Sequence, residues 1–498
     1  MIPEDFEVGR SRAVAPLFYR APSPPSKLYI PGEYQHAGVE YCLNRNNAII
    51  GDAPGVGKTC QAILLSNALG AEANLAIVPA SLLLNWEREI WLWSTIPNVH
   101  TYAIKKSSDG VNLTAHWVIV SYDMLRHPSI FAALMSRMWD HLVLDEAHYI
   151  KDPKGNKRTK AICGWVDKGT YVPGLCDVAG RMTLLTGTLL PNQPIESYNA
   201  IRLLNHAAID NASLETFRNF YYEEGEGMVR GPVASRDKKT GQIVFENKVH
   251  WSNKVRNQPR NLDDLQHRLR KHLMVRRLKE DVLHELPPKR WHPFPLGTTP
   301  ELRAAMKHPG WTEAEKLYEM DPDAFDNDMP VDGAVSTARR LLGEAKAPAV
   351  ADYIEDLFHG GITKVVVGAW HHSVLDYLRE RLKHLGLVYM DGGTSPTGKQ
   401  RAVDRFQKEE EVGCMLGQML PLGEGHTLTA AQDGVLAEPF WVPGKNDQFL
   451  DRLHRRGQLG MVTGHIPVVP GTLDEKILSK AIEKDYHIYA TLDRRGKS

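Results

Sequence analysis

Hydrophobic positions along this chain come in short uninterrupted runs, not in alternation. Ala48-Ile49-Ile50, Leu75-Ala76-Ile77-Val78, Val118-Ile119-Val120, Leu142-Val143-Leu144 and Thr183-Leu184-Leu185 are separated by longer amphipathic stretches. A run that is apolar throughout predicts a strand buried on both faces, and such strands alternating with helices predict a mostly parallel α/β sheet. A second series begins at Lys364-Val365-Val366-Val367, continues through Cys414-Met415-Leu416 and Val435-Leu436, and returns at Val462 to Val469.

What interrupts the two series sets the expected organisation. Pro16, Pro22, Pro24, Pro25 and Pro31 deny regular structure to an N-terminal arm over residues 1–33. From Glu223 to Asn261 the chain is polar and rich in Gly, Lys and Asn; Leu262 to Leu286 reads as basic and helical, stopping at Pro287-Pro288. The pattern predicts a first lobe over 34–286 with a helical insertion at about 205–286, a linker or helical protrusion over 287–345, and a second lobe over 346–498. A chain of 498 residues exceeds the size at which a single core stops growing, so two cores are expected.

Composition narrows the class. Lysine plus arginine and aspartate plus glutamate both number 60, so no global field advertises a polyanion and any nucleic-acid surface must be local. The cysteines at 42, 60, 163, 176 and 414 form no CxxC pair, and read as buried small hydrophobes in a reducing compartment. Charged residues near the N-terminus and the lack of a long apolar run predict a soluble, cytoplasmic protein without a signal or membrane segment. Two metal leads fail on spacing: Asp321, Asp323, Asp326 and Asp328 lack the glycine and terminal glutamate of a calcium loop, and His371-His372 has no further ligand nearby.

The sharpest chemical signal is Ile49-Ile50-Gly51-Asp52-Ala53-Pro54-Gly55-Val56-Gly57-Lys58-Thr59, followed by a helical run from Cys60 to Leu69. Strand, glycine loop and helix in that order make a phosphate cradle, in which backbone N–H groups face the anion, Lys58 neutralises terminal phosphates and Thr59 holds Mg²⁺. Asp52 departs from the GxxxxGK[ST] pattern at its first position, while Gly55, Gly57, Lys58 and Thr59 keep the chemistry. A glycine-rich turn with a surface lysine is the plain alternative. It loses ground to Asp145-Glu146-Ala147-His148 at the end of an apolar strand, where Asp145 suits the metal and Glu146 the attacking water. Phosphoryl transfer also needs positive charge opposite the γ-phosphate. Arg452 and Arg455, about one helical turn apart in Gln448 to Gln458, are the candidates, although an Arg/His-rich helix is ordinarily a solvated face.

Taken in order, these motifs resemble the Swi/Snf-like branch of superfamily II over Tyr34 to about Glu475. Tyr34-Gln35 is similar to the adenine-reading Q motif, Pro79-Ala80-Ser81 with Asn85-Trp86-Glu87 to motif Ia, and Thr186-Gly187-Thr188 with Asn192 to motif III. Met274 to Leu283, running on to Leu286-Pro287-Pro288-Lys289, and Gln448 to Gln458 resemble segments particular to that branch. Gly343-Glu344-Ala345-Lys346, Trp370-His371-His372, Asp391-Gly392 and Phe406-Gln407 are similar to its compact annealing, fork-remodelling group.

The resemblance implies two RecA-like lobes with parallel sheets, ATP and Mg²⁺ between them, and duplex or forked DNA across both. It implies nucleotide contact at Gln35, coupling at His148, Thr186, Thr188 and Gln448, and phosphate contacts at Ser81, Ser121, His371, Gly392, Thr394 and Thr427. The basic stretch with Arg268, Arg270, Lys271, Arg276, Arg277 and Lys279 is a second DNA candidate; for Arg276-Arg277 the preferred role is a brace between lobes, beside Glu280 and Asp281. Leu189 replaces the usual proline after motif III, and Pro421-Leu422-Gly423 replaces the usual start of motif V.

The expected activity is ATP-driven translocation on duplex DNA by a monomer, with a protein partner for targeting and, from its minimal size, a bacterial or phage source. A strand-separating DNA or RNA helicase and an ATP-gated scaffold of weak turnover are the alternatives.

Overall fold

The computed structural model describes residues 30–152, 155–187, 194–236, 243–297, 299–309, 311, 333–419, 422, 426–440 and 443–479. The first lobe is a seven-stranded sheet with β1 (Asn47–Ile50), β2 (Asn74–Val78), β3 (Thr101–Ala103), β4 (Trp117–Ser121) and β5 (His141–Asp145). After a small hairpin of β6 (Trp165–Asp167) and β7 (Thr170–Val172) come β8 (Met182–Leu185), a long antiparallel pair, β9 (Tyr222–Arg236) with β10 (Ile243–Pro259), and β11 (Met274–Val275).

The strand order is β11-β1-β8-β5-β2-β4-β3, parallel throughout, with Ile49 opposite both Met274 and Leu184. Ile49, Leu75 and Ile77 enter one core layer, while Ala48, Ile50, Ala76 and Val78 enter the other. The apolar runs are therefore runs because both faces are covered by helices.

The second sheet holds β12 (Lys289–Pro295), β13 (Val365–Ala369), β14 (Leu387–Met390), β15 (Cys414–Gln418), β16 (Asp433–Leu436) and β17 (Val462–Val468), ordered β12-β17-β16-β13-β15-β14 and again parallel. Val365 and Val367 pack on one side with Ala347, Val350 and Ile354 of the helix Gly333–His359, and Val366 packs on the other.

Two segments differ from expectation. Residues 287–345 are not only a linker. Lys289 to Pro295 pair in register with Val462 to Val468, so the second sheet starts directly after Pro287-Pro288. Pro293 and Pro295 argue against a strand in sequence, but β12 is an edge strand, where a missing N–H is tolerated. Likewise, the insertion at 205–286 is not wholly helical, because β9 and β10 occupy its centre.

Candidate active site

Both lobes meet around a cavity of about 400 Å³, lined by Tyr34, Gln35, the phosphate loop from Pro54 to Thr59, Asp145 and Glu146 from one side and Thr427, Arg452, Arg455 and Arg456 from the other. The loop leaves β1, turns through Gly55 at φ 86° and Gly57 at φ 91°, and runs into the helix Lys58–Leu69. Side chains rarely adopt those angles, whatever the space around them. A Cβ on Gly57 would lie 2.2 Å from Gln35 Nε2, and one on Gly55 would lie 3.4 Å from Arg455 Cγ. Gln35 from the helix Glu33–Leu43 thus rests on the loop, its Nε2 donating to Val56 O at 3.4 Å, and Arg455 of the second lobe lines the same cavity as the loop.

Lys58 Nζ donates to Asp52 O at 2.9 Å, inside the loop. Burial pushes its pKa down, against the pull of Glu146, Asp52 and Asp145. Asp145 ends β5, with Oδ1 accepting from the Glu146 N–H at 2.9 Å and Oδ2 accepting from Trp86 Nε1 at 2.7 Å; its carbonyl accepts from the Tyr122 hydroxyl at 2.8 Å. Glu146 is held at φ 50°, an unusual conformation for a side-chain-bearing residue, which breaks the strand and turns its carboxylate into the cavity.

The two carboxylates differ electrostatically. Burial and the Glu146 charge push Asp145 up to about 6. Burial would also raise Glu146, but His148, Lys58 and Arg452 outweigh it and hold Glu146 down at about 2. Glu146 Oε2 and His148 Nδ1 are 3.3 Å apart without the alignment of a hydrogen bond, and Oε2 is enclosed without a hydrogen-bond partner among the described residues. Thr59, Asp145 and Glu146 are hard oxygen donors of the kind Mg²⁺ takes, so the donor set fits that ion.

Thr186 follows β8, is fully buried, and donates its N–H to Ile50 O at 3.2 Å, so the motif III segment abuts the phosphate loop; Thr188 lies outside the described residues. Gln448 is half-buried on the helix Pro443–Leu450, outside the cavity lining.

Most nucleic-acid candidates lie at the C-terminal ends of parallel strands. Ser81 is in the turn Ala80–Leu82 after β2, Ser121 ends β4, His371 follows β13, and Gly392 and Thr394 follow β14. Glu438 fixes His371, accepting from its backbone N–H at 2.9 Å and standing 2.6 Å from its Nδ1. Gly392 donates to Gln418 Oε1 at 3.2 Å, and the Thr394 hydroxyl donates to Asp391 Oδ1 at 2.8 Å. Ser121 is buried, while Thr427 sits in the nucleotide cavity, its hydroxyl accepting from Arg455 Nη1 at 3.1 Å.

The paired arginines do not work as the sequence suggested. Arg276 Nη1 donates to Gly51 O and Gly187 O, each at 2.8 Å, and Arg277 forms a buried ion pair with Asp52, so both brace the phosphate loop within the first lobe. Lys279 makes a contact between lobes. Its Nζ donates to Asp451 Oδ1 at 2.8 Å and to His454 O at 2.5 Å, while Lys289 Nζ shares the same Asp451 oxygen at 2.9 Å. Sequence reasoning missed Trp86 and Asp451 as site-building residues. Trp86 stood inside a quoted motif, and its indole N–H would have needed a buried acceptor.

Comparison with known proteins places this site in context. Residues 34–329 match the model of the SNF2-related domain. The chain is 29% identical over 458 residues to the DNA annealing helicase and endonuclease ZRANB3 of Homo sapiens, covering 89% of this chain and 38% of that one. It is 30% identical over 465 residues to the SWI/SNF-related matrix-associated actin-dependent regulator of chromatin subfamily A-like protein 1 homolog of Caenorhabditis elegans, covering 91% of this chain and 60% of that one. The chain thus spans less than two thirds of the length of each of these relatives. Among solved structures, the Sulfolobus solfataricus SWI2/SNF2 ATPase core in complex with dsDNA aligns over 95% of this chain and 96% of that chain, with 20% identity and a TM-score of 0.41. With the family model covering more than half of its length, this chain belongs to the SNF2-related family.

Proposed function

We propose that the chain is an ATP-hydrolysing motor that moves on double-stranded or forked DNA. The observation that carries this reading is the shared cavity: the phosphate loop and acidic pair come from one lobe and Arg452 and Arg455 from the other. Hydrolysis requires both halves together, so turnover is tied to the relative position of the lobes. The relatives named above as annealing helicase and chromatin regulator support the choice of DNA as the track.

In this mechanism the loop N–H groups and Lys58 hold the terminal phosphates, and Gln35 sits where a base would be read. Mg²⁺, held by Thr59 and Asp145, would supply charge neutralisation across the phosphates. Glu146, kept ionised by His148 and Lys58, orients a water and takes its proton. Arg452 and Arg455 bring positive charge to the transferring phosphoryl group, a contribution on the order of 10³–10⁵ in rate where such arginines have been removed. Ser81, His371, Gly392 and Thr394 are proposed to face the DNA backbone, the buried Ser121 being withdrawn from that set, and the lobes are proposed to divide at Pro287-Pro288.

The test is the steady-state ATPase rate of the purified chain with no polymer, single-stranded DNA, blunt duplex, forked DNA and RNA at one salt concentration, because phosphate-driven binding falls steeply with salt. Stimulation by duplex or fork above single strands and RNA is the expected result. A flat response with ATP bound would replace this reading with that of an ATP-gated scaffold.

A further inference from the structure

The helix Leu83–Trp93 joins two places that the proposed function keeps apart. It starts immediately after the turn Ala80–Leu82, which carries Ser81 at the C-terminal end of β2. The Ser81 hydroxyl is enclosed and meets no hydrogen-bond partner among the described residues. One turn into the helix, Trp86 is fully buried, and its Nε1 donates to Asp145 Oδ2 at 2.7 Å. Asn85 beside it, and Glu89 and Trp93 farther along, line the nucleotide cavity, with Trp93 Nε1 donating to Glu89 Oε2 at 2.8 Å. A single rigid element therefore has its N-terminus at a candidate phosphate contact and its side at the metal-binding carboxylate.

Asp145 has few other constraints on its aim. Oδ1 is tied to the next residue's N–H, so the rotation of the carboxylate is set by what holds Oδ2, and that group is the indole. Trp86 is in turn confined by Trp117 of β4, whose ring centroid lies 6.2 Å away at 43°. An indole clamped this way transmits a shift of the helix to the carboxylate instead of absorbing it by changing rotamer.

We propose that Trp86 is a positioning residue that relays occupancy of the Ser81 turn to Asp145, making DNA contact set the aim of the Mg²⁺-binding carboxylate. The inference rests on the translocase reading and adds to it the residue through which stimulation passes.

The experiment uses the full chain with Trp86→Phe, and a second variant in which Trp86 is replaced by benzothienylalanine, which keeps the bicyclic shape and deletes only the donor. Binding of a fluorescent ATP analogue is titrated with and without Mg²⁺, and ATPase rates are measured with and without duplex DNA. In both variants metal-free nucleotide affinity should stay within about twofold, the Mg²⁺ half-saturation should rise about tenfold, the loss typical of a hydrogen bond to a charged group, and duplex stimulation should shrink by a similar factor. Combined with Ser81→Ala, the loss of stimulation should be less than the product of the single losses, since both changes cut one relay.

Equal losses with and without DNA, an unchanged Mg²⁺ requirement in the benzothienylalanine protein, or independent effects of Ser81→Ala and Trp86→Phe would overturn the relay while leaving the translocase reading intact. A wild-type rate indifferent to every polymer would overturn both, and is distinguished by being seen before any substitution is made.

Discussion

Arg277 and Asp52 form a bidentate ion pair with both side chains fully buried, Nη2 to Oδ2 at 2.5 Å and Nε to Oδ1 at 2.9 Å. The Arg277 N–H also donates to Asp52 Oδ1 at 2.9 Å, and Gln61 of the helix after the phosphate loop completes the cluster, donating to Asp52 Oδ2 at 2.8 Å and accepting from Arg277 Nη2 at 2.6 Å. The residue that breaks the common loop pattern is therefore the anchor that fixes the loop to the segment after β11.

Substituting Asp52→Gly restores the common sequence pattern but leaves a guanidinium buried without its counter-charge. The expected result is a loss of about 3–5 kcal/mol of stability, read from urea unfolding, because breaking a buried pair strands the remaining charge. The double change Asp52→Gly with Arg277→Leu should be less harmful than Asp52→Gly alone. Equal or worse damage in the double variant would show that the cluster is not organised around this pair.

Lys58→Ala and Glu146→Gln should separate binding from turnover. Lys58→Ala is expected to weaken nucleotide affinity by roughly 10–100-fold, the scale of losing a charged hydrogen bond. Glu146→Gln is expected to bind nucleotide within about threefold of wild type and to lose on the order of 10²–10⁴ in kcat. Equilibrium binding and single-turnover hydrolysis measure the two effects, and retained turnover in Glu146→Gln would remove that residue from its role.

Asp451→Asn should loosen the contact between lobes. Burial alone would raise Asp451, but Lys289 and Lys279 hold it down at about 2, below its ordinary 3.8. A depressed carboxylate contributes stability that is fully present above its unfolded value and is lost as pH falls through its folded value. The variant should cost about 3 kcal/mol at neutral pH and remove that acid limb from the stability profile. A fluorophore pair with one dye on each lobe should report a broader distance distribution, and an unchanged distribution would contradict the tether.

Metal-dependent nucleotide binding should fail on mild acidification. Asp145 is pushed up to about 6 by burial and by Glu146, so below that pH it carries a proton that a metal must displace. The apparent Mg²⁺ affinity is expected to fall about tenfold per pH unit below 6, while metal-free nucleotide affinity changes less. Titration of Mg²⁺ at several pH values checks this; a pH-independent metal affinity would mean that Asp145 is ionised throughout.

The legible parts of this chain were those in which chemistry is contiguous. Ala48 to Ile50 and Leu142 to Leu144 betrayed buried parallel strands because both faces of the sheet are covered, and Gly55 to Thr59 and Asp145-Glu146 announced their roles because the groups that act together stand side by side. What escaped was decided by partners far along the chain. Arg277 reads in sequence as part of a brace between lobes, beside Glu280 and Asp281, yet its counter-charge is Asp52 in the phosphate loop of its own lobe. Trp86 gave no sign of its acceptor, Asp145, because only the packing of the helix Leu83–Trp93 brings them together. The strand β12 was hidden by Pro293 and Pro295, which only an edge position permits.

Arg277 is sealed into the first lobe and Lys279 is bound to Asp451 and His454 of the second, with Leu278 alone between them. Two backbone steps extend at most about 7 Å. While both anchors hold, the lobes are on a short leash at this point, its slack limited to those two backbone steps and the Lys279 side chain. A restraint of that kind comes from the closeness of two anchors in the chain, without any dedicated stop.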